Sequence, residues 1–337
     1  MTVRRGKRAV PIVDVHSHVF PDRFLRALMR EGPAHGVRVE ARDGEWHLWN
    51  SPHQAARIGP MFYDVPMRLE AMARWGITLQ ALSLSPPMVY WAPPALGRDL
   101  ARIFNEEVEA ICRAHPSRFV ALATLPLQDV NGAVAEMERA VRAGCRGVYI
   151  GTNVEGRYLD APEFAPVFEA AERLALPVFT HPLNNAGENR MDGWHLANSV
   201  GNPGETALAA ARLILAGVLD RYPALQLVLA HGAGSFPFIA GRLDHTYTVR
   251  AEVRGVIPQP PSVYLRRVYA DTITHGDRQL TFLIEAAGAD RVLLGTDLPY
   301  DMADPEPLAR LGRLGLTAAT VQAIQSQNAA RLLGLNA

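Results

Sequence analysis

The chain is almost without lysine. Lys7 is the only one in 337 residues, so 33 of the 34 basic residues are arginine. Lys7 lies outside the apolar segments that could build a core, which argues against Schiff-base chemistry, a pyridoxal cofactor and any metal site bridged by a carboxylated lysine. Cysteine is nearly as scarce. Cys112 and Cys145 cannot form a disulfide framework and fit neither a CxxC nor a thiolate metal pattern. They read as core thiols in a reducing compartment, and the cytoplasm is the expected location. Excess charge is missing too: 34 basic and 34 acidic residues leave a formal net charge of zero, with no basic footprint for nucleic acid and no polybasic patch for a membrane. Long apolar runs are absent. Ala207 to Leu219 is interrupted by Arg212 and falls short of the roughly 20 residues that a bilayer requires. The basic start, Met1 to Ala9, is followed by too short an apolar stretch before Asp14 to serve as a signal-peptide core. A small-molecule partner is the expectation that survives these exclusions.

Hydrophobic residues make up 48% of the chain, enough to bury a sizeable core as one large domain. They fall into eight short runs: 12–20, Ile77–Ser85, Phe119–Leu127, Gly147–Val154, Pro177–Leu183, Gln226–Gly232, Val268–His275 and Val292–Tyr300. Such runs suit parallel strands buried on both faces. Between them, Asn105 to Ala114 and Ala133 to Ala143 repeat apolar residues at helical spacing. Asn202-Pro-Gly-Glu205 predicts the start of the longest helix, with a capping-box-like sequence and proline in the first turn. Eight β-α units predict an α/β chain folded as a (β/α)₈ TIM barrel with C-terminal helices, residues 1–337 forming a single domain; a doubly wound open sheet is the alternative, weakened by the lack of a GxGxxG after the first strand. The unit after strand 1 is longer than the rest. Val37–Arg42, Asp43-Gly44 and Glu45–Asn50 read as a β-hairpin with a two-residue turn, so 35–60 is expected as a small inserted cap over the barrel mouth. Trp46, His47, Trp49 and His53 are more readily understood as packing on the rim than as pocket walls.

The polar residues cluster at strand ends. In Ile12-Val-Asp-Val-His-Ser-His-Val-Phe20, side chains alternate with period 2, so Asp14, His16 and His18 share a face and the two imidazoles can reach one cation. A lone His-x-His is a weak signal. It gains weight because His181 ends strand 5, His231 ends strand 6 and Asp297 ends strand 8, all on the face where barrels keep their active sites. His275, at the end of strand 7, is a reserve candidate for acid/base work, and Asp271 reads as a structural partner inside the barrel.

These residues, together with Ala81-Leu-Ser-Leu-Ser-Pro-Pro-Met-Val-Tyr-Trp-Ala92, Arg118-Phe-Val-Ala-Leu-Ala-Thr-Leu-Pro-Leu-Gln128, Ala230-His-Gly-Ala-Gly-Ser-Phe-Pro-Phe-Ile-Ala-Gly-Arg242 and Leu294-Gly-Thr-Asp-Leu-Pro-Tyr300, make a chain that resembles the amidohydrolase superfamily over nearly its whole length. Within that superfamily it is similar to the aminocarboxymuconate-semialdehyde decarboxylases. The resemblance implies one divalent ion, usually zinc with manganese the alternative, held by His16, His18, His181 and Asp297, and it gives His231 the acid/base role beside Asp297. It also implies a homodimer: the residue matching Arg242 holds a substrate carboxylate from the neighbouring subunit. The arginine expected before the first barrel helix would fall on Gly59, and the nearest is Arg57, two residues away. Arg57, Trp194 and Arg242 are therefore the candidate substrate contacts. Three neutral imidazoles and one carboxylate leave an ion net positive, able to lower the pKa of bound water to about 7. Strand 4 offers no lysine to bridge a second ion. The expected function is metal-dependent, non-oxidative decarboxylation of an unsaturated or aromatic carboxylic acid; addition of hydroxide next to the carboxylate-bearing carbon and protonation of that carbon both remain open as first steps. A hydrolase or hydratase on the same fold is the alternative. A non-catalytic metal-binding barrel is a third reading, which has no use for His231.

Overall fold

A computed structural model describes residues 11–42, 45–51 and 54–335. Lys7, the Asp43-Gly44 turn and His53 lie outside the described residues. Eight parallel strands, β1 Val13–His18, β2 Leu79–Ser83, β3 Phe119–Ala123, β4 Gly147–Gly151, β5 Val178–His181, β6 Leu227–Leu229, β7 Tyr269–Asp271 and β8 Val292–Leu293, pair in sequence order. The chain after β8 returns to β1: Ser17 bridges Leu298, Val15 N donates to Leu294 O at 2.9 Å, and Asp297 N donates to His16 O at 2.8 Å. That seam makes the sheet a (β/α)₈ barrel, as eight β-α units predict.

Every residue of β1 is buried, because one set of side chains meets the surrounding helices and the other, Asp14, His16 and His18, meets the barrel interior. Gly295 permits the crowding at this point. A Cβ there would come within 2.9 Å of the Asp271 Cβ and 3.1 Å of the His16 Cβ, inside van der Waals contact. The helices start where their sequences allow it. Asp64 caps Val65–Arg74 by accepting from Met67 N, and Asp129 caps Val130–Arg142 by accepting from Gly132 N. Pro94–Ala114 buries Leu100, Ala101, Phe104 and Val108 at helical spacing.

The expected hairpin is present as the antiparallel pair Arg38–Arg42 and Glu45–Ser51, and a third strand, Gln54–Ile58, extends it; a hairpin alone is marginal in water, and the third strand gives the middle one a partner on both edges. The insertion is preceded by an amphipathic helix, Asp22–Glu31, with Phe24, Leu25 and Leu28 buried. Two expectations are corrected, both at the helix that opens at Asn202. The helix opening at Asn202 has 14 residues, against 21 in Pro94–Ala114, so it is not the longest. Nor does it begin with a capping box. A π-helical turn, Ala197–Gly201, runs straight into it, and Glu205 is buried, accepting from Thr152 Oγ1 at 3.0 Å, Tyr158 OH at 3.0 Å and Ala186 N at 3.1 Å. Among the described residues, no helix is long and apolar enough to cross a membrane.

Candidate metal centre and substrate cavity

Five side chains from four strand ends meet in the barrel mouth. His16, His181, His231 and Asp297 each offer a ligand atom lying within 4.8 Å of the others. His18 joins them, with Nε2 3.1 Å from His16 Nε2 and 3.2 Å from Asp297 Oδ1. The far nitrogens of three rings are anchored away from this point. His16 Nδ1 lies 2.7 Å from Asp271 Oδ2, His18 Nδ1 3.1 Å from Ser83 Oγ, and His181 Nδ1 2.9 Å from Pro182 O. Each such partner leaves Nε2 as the outward lone pair, and a carboxylate behind one imidazole is the usual support of a metal-bound histidine.

Protonation states suit a cation. Burial pushes His18 down to about 4, and burial together with the neighbouring His231, His18 and His16 rings holds His181 well below the ordinary imidazole range. Burial opposes ionisation of Asp297, but the approach of His18 and His231 and the charge of nearby rings outweigh it and hold the carboxyl well below its usual range. Burial lowers His16 as well, but the Asp271 carboxylate behind it and the nearby Asp297 raise it above the ordinary imidazole range. Neutral His18 and His181 beside an ionised Asp297 are in the forms that bind metal, and an ion would displace a proton from His16. Among the described residues, Asp297 Oδ1 and His231 Nδ1 are buried without a hydrogen-bond partner, a costly arrangement that a cation at Asp297 relieves. The donor set therefore fits a divalent ion, and a metal-binding site lies where His16, His181, His231 and Asp297 converge.

Local backbone strain serves this convergence. His231 and Asp297 both adopt left-handed backbone, with φ of 55° and 63°, conformations uncommon outside glycine and concentrated at functional sites. Asp271 holds the first of these turns, accepting from His231 N at 2.9 Å and Gly232 N at 2.9 Å while it supports His16. One group was not evident from the sequence. Tyr149, on β4, places its hydroxyl 2.9 Å from His16 Nε2; the period-2 alternation of a strand is the signal that could have marked it as inward-facing.

His181, His231 and Asp297 floor a cavity of about 520 Å³. The third strand of the insertion forms one wall through Ala56 and Arg57, continued by Gly59 just after it, and the loop after β5 forms another through Asn185, Glu188 and His195. Trp46, His47 and Trp49 do not contribute; Trp46 packs against the core and Trp49 stacks beneath the Arg38 guanidinium. Of the candidate substrate contacts, Arg57 reaches this cavity. Trp194 is 90% exposed, and its neighbour His195 lines the cavity in its place. Arg242 is exposed on the helix Phe236–Val249, outside the lining within one chain. His275 is exposed at the rim of an adjoining apolar cavity of about 440 Å³ that also meets His231 and Asp297.

The amidohydrolase family pattern matches residues 13–335. The chain belongs to the amidohydrolase family. This amidohydrolase is 32% identical over 335 residues to 2-amino-3-carboxymuconate-6-semialdehyde decarboxylase of Dictyostelium discoideum, covering 96% of this chain and 92% of that protein. It is 32% identical over 259 residues to gamma-resorcylate decarboxylase of Rhizobium radiobacter, covering 70% of this chain and 77% of that protein. The solved structure of 5-carboxyvanillate decarboxylase from Sphingomonas paucimobilis superposes with a TM-score of 0.83 at 26% identity, covering 97% of this chain and all of that one. The likeness to the aminocarboxymuconate-semialdehyde decarboxylases read from the sequence motifs holds, and the amidohydrolase is a carboxy-lyase.

Proposed function

We propose that this metal-dependent carboxy-lyase removes CO₂ without oxidation from an unsaturated or aromatic carboxylic acid, with His16, His18, His181 and Asp297 holding one divalent ion and His231 handling the proton. The observation that carries the reading is the convergence of three imidazoles with anchored far nitrogens on one ionised, unsatisfied carboxylate at the floor of a cavity that an arginine enters. Zinc is the proposed ion, since imidazole and carboxylate donors suit it; manganese is the alternative.

When bound, the ion supplies a fixed positive charge against which substrate oxygens are polarised. The chain's own groups do the rest. Arg57 presents a planar fork at the wall, the geometry that grips a carboxylate through two parallel hydrogen bonds. Cleavage breaks the bond between carbon and carboxylate and leaves its electron pair on carbon, so one proton must arrive there. His231 can deliver it, because its side chain remains 13% exposed where it lines the cavity and its Nε2 lies 3.6 Å from Asp297 Oδ2, beside the reacting groups.

Elemental analysis of purified protein is expected to give one divalent ion per chain. Two ions per chain in active protein, or full turnover after exhaustive chelation, refutes the mononuclear assignment. Arg57→Ala is expected to raise KM for the acid roughly 10- to 100-fold, the worth of a charged hydrogen bond, with a smaller effect on kcat; an unchanged KM removes Arg57 from the carboxylate site.

The enzyme is further proposed to be a homodimer in which Arg242 completes the cavity of its partner, since the Arg242 side chain is exposed and stands outside its own cavity. Mixing Arg242→Ala with His231→Ala subunits should restore turnover through the hybrid site. No recovery in proven hybrid dimers rejects the shared site.

A further inference from the structure

Beneath the ligands lies a buried polar network whose side chains touch neither the cavity nor the reacting groups. Asp14, Gln80 and Thr296 are inaccessible to solvent and Arg68 is almost so. Each oxygen of Asp14 accepts two hydrogen bonds: Oδ1 from His16 N at 3.1 Å and Thr296 N at 3.1 Å, Oδ2 from Gln80 Nε2 at 2.7 Å and Thr296 Oγ1 at 2.6 Å. Thr296 Oγ1 in turn accepts from Leu298 N at 3.1 Å. Gln80 cannot turn over, because its Oε1 accepts from Arg68 Nη1 at 2.8 Å. Arg68 Nη2 donates to the carbonyl of His18 and to Met61 O.

We infer that Asp14, relayed through Gln80 to Arg68, is the positioning residue of the metal centre, fixing the backbone that carries His16 and His18 on β1 and Asp297 after β8. The inference rests on the metal reading above. Its physical basis is donor accounting. All four groups facing Asp14 donate to it, and three of them, His16 N, Thr296 N and the oriented Gln80 Nε2, cannot accept instead, so a carboxylate is the group that satisfies the position, saturated by the protein and therefore unavailable to an ion. The bonds fall on His16 N itself, on the residues either side of Asp297, and, through Arg68, on the His18 carbonyl. Ligand geometry on both sides of the seam thus depends on one acceptor. Groups of this kind typically change metal affinity 10- to 100-fold.

The test uses chelated enzyme reloaded with Co²⁺, read by its dissociation constant, its visible absorption bands and the melting temperature of the metal-free protein. Asp14→Asn puts an NH₂ against other donors; Gln80 can accept from it only by releasing Arg68. Cobalt affinity is expected to fall about 10- to 100-fold with altered bands. Adding Gln80→Glu to that variant supplies an acceptor for both the introduced amide and Arg68, and most of the affinity and the original bands should return. Thr296→Val, close to isosteric, should shift both readouts in the same direction by less, and it decides the matter if Asp14→Asn fails to fold. Variants that melt lower when metal-free but bind cobalt like wild type, with unchanged bands, overturn the positioning role and leave a structural one. Wild-type enzyme that takes up no cobalt overturns the metal reading itself, and the inference with it.

Discussion

Replacing Asp297 with alanine is expected to remove the ion from the purified enzyme and abolish turnover. Asp297 is the one carboxylate among the converging groups, and its Oδ1 faces the His16 and His18 rings without a hydrogen bond of its own. Loss of a supporting partner outside the ligand set usually costs 10- to 100-fold in affinity, and loss of a charged ligand should exceed that. Asp297→Asn keeps the shape and removes the charge, so partial metal retention with greatly weakened binding is expected. Equilibrium dialysis against buffered zinc distinguishes the cases. An Asp297→Ala protein that retains stoichiometric metal would exclude Asp297 from the ligand set.

His231→Asn should behave differently. If His231 delivers the proton to carbon, the variant keeps its metal and most of its substrate affinity and loses about 10²- to 10⁴-fold in turnover, the usual worth of a general acid. The geometry sharpens this test, since His231 stands as close to the cluster as the assigned ligands do. Metal content is therefore measured on the same sample. A protein that loses both together is one in which His231 is a ligand, and wild-type turnover removes it from the chemistry altogether.

The barrel was legible because its strands are buried on both faces and so stand out as apolar runs between helical patterns. The metal centre was legible for a related reason: His16, His18, His181, His231 and Asp297 interrupt those runs at the same end. What was not legible has specific causes. Gln54–Ile58 is short and rich in alanine, poor strand material by composition, and pairs only because Glu45–Ser51 offers an edge. Glu205 suggested a capping box, but its carboxylate is taken by Thr152, Tyr158 and Ala186 from other parts of the fold, contacts that no local pattern encodes. Tyr149 sits in a strand that reads as plain core. Arg57 and Gly59, the expected position, both line the cavity, a placement that spacing along the chain could not give.

The seam between β1 and the chain after β8 bears on how this enzyme is made. Asp14 and Thr296 stand 282 positions apart, so the pairing that brings them together closes a loop spanning most of the chain, and contacts of such separation are late and slow to form. A ribosome adds roughly 5 to 20 residues each second, and the His-x-His of β1 emerges long before Asp297 has been translated. Throughout that interval the nascent chain carries imidazoles without the carboxylate that completes the centre. The ability to hold an ion in the native arrangement is thus acquired at the end of synthesis, when the first strand and the last segment of the barrel can finally meet.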